Sequence, residues 1–213
     1  MIDLDSYDIF ILDCDGVILD SNNLKTEAFR EALISESDHL IEAMVAYHKL
    51  NGGISRYEKF NYFYSEIKTS NNKEEDTNHA IQRFADYVSN GLLEVDFIPG
   101  VLSFLQNSMD SKHIYVNSGS DETELRKVFH KRNISYYFEE IFGSPNTKHD
   151  NMQKILNRHG HKSKAIFFGD SSSDYEAARL SKSDFVFVSD ASEWQNPEGD
   201  FTFVIGNFEN IIE

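Results

Sequence analysis

Four short apolar runs limit how this chain can fold: Tyr7 to Asp13, Ile114 to Asn117, Ala165 to Gly169 and Phe185 to Val188. Each ends in small or acidic residues. Runs of this length and composition read as strands buried on both faces. Thr123 to Lys131, Asp150 to Arg158 and Asp174 to Ser181 carry apolar residues at helical spacing and lie between or after those runs. The alternation predicts an α/β fold, a Rossmann-like three-layer core in which helices cover both faces of a parallel sheet. In such folds functional residues gather at the carboxyl ends of the strands.

One segment departs from the alternation. From residue 21 to residue 94 there is helical periodicity and no convincing strand, with four helical stretches in "TEAFREALI", "LIEAMVAYHKL", "RYEKFNYFYSEI" and "HAIQRFADYVSNGLL". "NGGIS" and the polar run "KTSNNKEED" divide them, the latter reading as a solvated loop. The expectation is a helical domain, 21–94, inserted after the first strand into a core built from 1–20 and 95–213. Pro99-Gly100 marks the return to the core, with Pro99 placed to start the next helix.

Polar clusters follow the predicted strand ends: Asp13-Cys14-Asp15-Gly16, Ser118-Gly119-Ser120, Lys148, and Gly169-Asp170 with Asp174 four residues on. Taken singly, each has an ordinary reading as a turn, a helix cap or a solvated lysine. Together they fit one reaction. Two carboxylates as close as Asp13 and Asp15 resist burial unless their charge is offset. An aspartate attacks phosphorus only if its own charge and that of the phosphate are neutralised, which calls for a divalent cation and a lysine at one strand edge. Asp170 and Asp174 supply hard oxygen ligands of the kind Mg²⁺ prefers, and Lys148 supplies the positive charge. Asp13 and Asp15 flank one substrate oxygen if the chain stays extended, since residues two apart on a strand face the same way. Gly16 allows a tight turn after the pair, and Cys14 points the other way into packing.

In this order the motifs Asp13-x-Asp15-Gly16-Val17, Ser118, Lys148 and Gly169-Asp170-x-x-x-Asp174 resemble those of the haloacid dehalogenase superfamily of phosphohydrolases. The resemblance spans the chain, helical cap included. It implies that Asp13 attacks phosphorus and that Asp15 protonates the leaving oxygen and then activates water. Ser118, Gly119 and Lys148 would hold the phosphoryl group. Mg²⁺ would sit on Asp13, Asp170 and the backbone carbonyl of Asp15, and Asp174 would hold a metal-bound water or orient Lys148. "Gly53-Ile54-Ser55-Arg56" resembles a cap loop of the β-phosphoglucomutase branch, which makes Arg56 a candidate for the far end of the substrate, with a surface role equally open. Lys25 would approach the leaving group on cap closure. The aromatic residues of the insert read as helix packing, and His48, His149 and the other histidines show no ligand spacing and read as structural or exposed.

With 36 acidic and 20 basic side chains the chain carries a formal charge of −16, a field that disfavours nucleic acid and anionic membranes. The single cysteine excludes an internal disulfide and any Cys-rich metal site. The start of the sequence has neither a basic region nor an apolar run long enough for a signal, so the expected location is cytoplasmic. The resulting expectation is a Mg²⁺-dependent phosphatase for a small phosphorylated metabolite, such as a sugar phosphate or phosphoglycolate. A phosphomutase, a phosphonatase using Lys25, Lys49 or Lys59, and a non-catalytic phosphate-binding module are the alternatives. A receiver domain is disfavoured by the position of its acidic pair and by the long insert. Oligomeric state stays open.

Overall fold

The computed structural model describes residues 3–160 and 162–211. Six parallel strands form one sheet in the order β3-β2-β1-β4-β5-β6. They are β1 (Ile9–Leu12), β2 (His113–Asp121), β3 (Glu140–Ser144), β4 (Ala165–Gly169), β5 (Asp184–Val188) and β6 (Phe203–Ile205). Every residue of β1 and β4 is buried, as the unbroken apolar runs require.

Alternation along β1 divides the core. Ile9 and Ile11 pack on the face covered by α7 (Lys148–His159) and α8 (Ser172–Leu180), against Met152, Ile155, Ala177 and Ala178. Phe10 and Leu12 face α5 (Val101–Ser108) and α6 (Glu122–Lys131), against Phe104, Leu105, Leu125 and Phe129. Phe10 stacks on Phe104 with ring centroids 5.5 Å apart. Each such side chain contributes about 1.5–3 kcal/mol through its removal from water.

Between β1 and α5 the chain leaves the sheet as helices α1 (Asn22–Ala32), α2 (Asp38–Leu50), α3 (Arg56–Tyr62) and α4 (Lys73–Glu94). A π-turn, Phe63–Ile67, extends α3. Phe29, Phe60 and Phe84 lock α1, α3 and α4 together, with centroids 4.6–5.9 Å apart. The exit and return strands are stitched side by side: the amide of Asp20 donates to the carbonyl of Asp96, and that of Ile98 to the carbonyl of Ile18.

Three local expectations change. The polar run at 68–76 is not all loop, because α4 begins at Lys73 with Glu74, Glu75 and Asp76 in its first turn, where acidic charge suits the helix dipole. Pro99 precedes α5 without starting it: Gly100, at φ 79°, is the cap, and the helix begins at Val101. Two strands, β3 and β6, lie outside the four apolar runs.

Candidate active site

The direction of sheet winding reverses between β1 and β4, so the loops after these strands part and leave a crevice at their carboxyl ends. Asp13 ends one strand and Asp170 the other. Both are buried, as is Asp174 on the first turn of α8, and carboxylate oxygens of the three lie within 4.8 Å of one another. Gly16 makes the approach possible. It sits at φ 74°, and a Cβ there would lie 2.2 Å from Asp170 Oδ2.

Lys148, the first residue of α7, donates to Asp13 Oδ2 at 2.8 Å and to Asp174 Oδ1 at 2.5 Å. Its ammonium is buried, which disfavours charge, but Asp13 and Asp174 outweigh burial and hold its pKa above the ordinary lysine value. Asp174 Oδ2 accepts from the Ser171 amide and hydroxyl, so Asp174 both caps α8 and fixes Lys148. Asn22 Nδ2 donates to Asp170 Oδ2 at 2.7 Å.

One ammonium does not balance three buried carboxylates. Burial, reinforced by the charge of Asp174, pushes Asp13 up to about 7, and burial with Asp174 and Asp13 lifts Asp170 well above the carboxylate range. Hard oxygen donors with surplus negative charge in a buried site fit a divalent cation such as Mg²⁺.

The side chain of Asp15 stands apart from this group of three carboxylates. Its Oδ1 accepts from Ser21, its Oδ2 accepts from Ser120 at 2.8 Å, and Lys25 Nζ lies 3.6 Å from Oδ1. These bonds fix the side chain beside the cavity and away from the carboxylate cluster, and each oxygen keeps a lone pair for a further partner. Burial pushes Asp15 up, yet Lys25, Ser21 and Ser120 together hold it below the ordinary value. In the free site Asp15 is therefore ionised, not proton-bearing as its expected acid role requires.

Ser118 is buried within the carboxyl half of β2, where its hydroxyl accepts from the Ser120 amide. Gly119 lies against the backbone of Gly53: a Cβ on Gly119 would come within 2.1 Å of the Gly53 carbonyl oxygen. Gly53 has φ 73°, and a Cβ on it would meet Ser173 Oγ, Ser171 Oγ and Lys148 Nζ at 2.1–2.7 Å. The 51–54 loop is thus seated on the strand edge and closes the crevice into a cavity of about 70 Å³. Sites for drug-sized ligands run to roughly 300–1,000 Å³, so this one suits a small molecule.

Arg56 and Lys25 both line the cavity, as does Asp15. Arg56 is buried and paired with Glu124 of α6 at 2.9 Å, tying α3 to the core. Asn22, His48 and Glu193 also line the cavity and escaped the sequence reading of the site, and Lys59, raised there only as a possible imine-forming lysine, lines it too. His48 is neither exposed nor remote, since it is buried in the wall formed by α2 and α3. Lys59 offered a signal, because it shares a helical stripe with Arg56, Phe60 and Phe63 and a lysine on an apolar stripe needs an explanation. Cys14 packs in the core, as expected.

No described helix is long and apolar enough to cross a membrane. Among curated proteins none matches the sequence. Among solved structures, one described as a predicted phosphoglycolate phosphatase from Haemophilus somnus superposes with a TM-score of 0.77 at 14% identity, covering 97% of each chain. A predicted phosphatase from Clostridium acetobutylicum gives 0.72 at 19% identity over 93% of each chain. A HAD hydrolase from Bacillus subtilis, described as bound to magnesium, gives 0.71 at 17% identity over 96% of each chain. At these identities the likeness is one of fold. The family model for haloacid dehalogenase-like hydrolases matches residues 10–188, from β1 to the end of β5, and the chain belongs to that family.

Proposed function

We propose that this hydrolase is a Mg²⁺-dependent phosphatase that cleaves a small phosphomonoester through an aspartyl-phosphate on Asp13, with the helical segment 21–94 acting as its cap. The observation that carries this reading is the pairing of Asp13 with Lys148 in an enclosed cavity that Asp15 also lines. Asp13, Asp170 and the Asp15 carbonyl would hold the cation, which supplies charge neutralisation for the incoming phosphate.

Asp13 attacks phosphorus, a new P–O bond forms, and the ester P–O bond breaks. The departing oxygen takes a proton from Asp15. In the second half Asp15 removes a proton from water, whose oxygen attacks the phosphoryl group and releases phosphate and free Asp13. Asp15 is ionised in the free site, the form that can accept this proton. For the acid role, a phosphate dianion arriving beside it raises its pKa by like-charge repulsion, so the proton is taken up as substrate binds. Lys148 and Ser118 hold the transferring oxygens, and the closed 51–54 loop keeps bulk water out.

Phosphate release from a panel of small phosphomonoesters tests the reading, with Mg²⁺ and with EDTA. Release that depends on Mg²⁺ is expected. No release from any ester by folded protein would overturn it.

A further inference from the structure

The cations lining the cavity are compensated with one exception. Lys25 lies by Asp15, Lys49 is 3.0 Å from Glu193, and Arg56 is 2.9 Å from Glu124. Lys59 has no carboxylate partner among the described residues, although it is 1% exposed and the most buried of the four. Its Nζ lies 2.7 Å from His48 Nδ1, with the His48 carbonyl a long 3.5 Å away. An ammonium can only donate, so Nδ1 accepts and the ring proton falls on Nε2, which has no hydrogen-bond partner among the described residues and lies 3.9 Å from Glu193. Burial and the charge of Lys59 keep that ring neutral, with its pKa driven down to about 2. His48 therefore orients the amine without cancelling its charge. The Phe29 ring, 5.5 Å from Nζ, backs it from another side.

A lone buried ammonium is costly and persists where something else repays it. Burial, then the charge of Lys148, lowers the Lys59 pKa to about 7, and the more distant carboxylates of Asp15 and Glu193 do not offset them. Lys59 is among the residues that line the cavity.

We propose that Lys59, held by His48, is the specificity residue that binds a carboxylate on the non-transferring end of the substrate. The substrate class is then a small phosphorylated carboxylic acid, and the phosphate sits at Asp13 and Lys148. A carboxylate in this position completes the one unpaired charge of the wall. This assignment rests on the phosphatase reading above and narrows it.

Two matched pairs of esters isolate the carboxylate: 2-phosphoglycolate against ethyl phosphate, and 3-phosphoglycerate against glycerol 3-phosphate. For at least one pair the acid should be preferred about 30- to 100-fold in kcat/KM, as expected for a buried charge pair. Lys59→Met should erase most of that preference, chiefly through KM for the acid, while Lys59→Arg should retain more of it than Met. Equal kcat/KM within both pairs overturns the assignment, and so does a Lys59→Met variant that loses as much on the neutral esters as on the acids. Phosphate release from a carbonyl phosphonate, with borohydride locking substrate onto Lys59, would replace it with an imine role. Calorimetric binding of the same pairs to Asp13→Asn protein reads the carboxylate preference without turnover. If wild type hydrolyses nothing yet Asp13→Asn prefers the acids, the phosphatase reading fails and the Lys59 assignment stands.

Discussion

The two walls of the cavity carry opposite imbalances. At the strand edge three buried carboxylates, Asp13, Asp170 and Asp174, share one lysine, Lys148. Across the cavity, on α2 and α3, a buried ammonium has only a neutral imidazole. The first wall lacks a cation and the second lacks an anion. A phosphorylated acid arriving with a divalent cation would supply what each lacks, so the site is built to be stable when loaded and strained when free. The cost is carried by the folded protein, as is common where function opposes stability.

The comparison breaks most sharply at Asp13. Asp13→Asn should lower kcat by more than about 10³-fold while the variant stays folded, because the change removes the nucleophile and also relieves carboxylate repulsion. Steady-state kinetics and a melting curve check both halves. An active variant would detach the strand-edge wall from the chemistry.

On the opposite wall, Lys59→Met should stabilise the protein. Lys59 falls from 10.5 to about 7 on folding, chiefly by burial. Its folded pKa is depressed, so the unfolded chain binds more protons between those values and the stability of wild type climbs as pH rises from 7 to 10.5. Below pH 7 the full cost of burying the charge is present. The variant should therefore exceed wild type by on the order of a few kcal/mol at pH 7 and below, with the gap shrinking toward pH 10.5. Paired denaturant curves at pH 6.5 and 10 measure it, and a variant less stable than wild type at pH 6.5 would mean that Lys59 is already compensated.

Gly53→Ala probes the loop that joins the two walls. The new methyl meets Lys148 Nζ and two serine hydroxyls at a positive φ, so the loop can no longer seat. A fall of about 10- to 100-fold in kcat/KM is expected with little change in melting temperature, since misplaced closure costs rate more than stability. Unchanged kinetics would show that closure does not matter. The smallest effect belongs to Asn22→Ala, which deletes the hydrogen bond to Asp170 and should raise the Mg²⁺ concentration for half-maximal rate about tenfold. A Mg²⁺ titration reads it directly.

The two walls also differ in how legible they are in the sequence. The strand edge is readable because its residues follow short apolar runs in fixed order, so local pattern and site chemistry coincide. The helical wall is not. His48 and Lys59 lie eleven residues apart on different helices and meet only through packing around Phe29, which no local period encodes. Asp15 is a case between the two: its position was readable, but its partners Ser21, Ser120 and Lys25 come from the residue before α1, the end of β2 and α1 itself. β3 escaped because only Ile141 and Phe142 are strongly apolar, and β6 because a three-residue edge strand is too short to show a pattern.

The central claim is that Asp13 becomes covalently phosphorylated. The most direct measurement is acid quenching of wild-type protein during turnover of its best phosphomonoester, followed by mass spectrometry of the peptide that carries Asp13. The account predicts a phosphoryl adduct on that peptide, formed with Mg²⁺ and absent in Asp13→Asn. Phosphate release that continues in Asp13→Asn, with no adduct at any quench time in wild type, would contradict it.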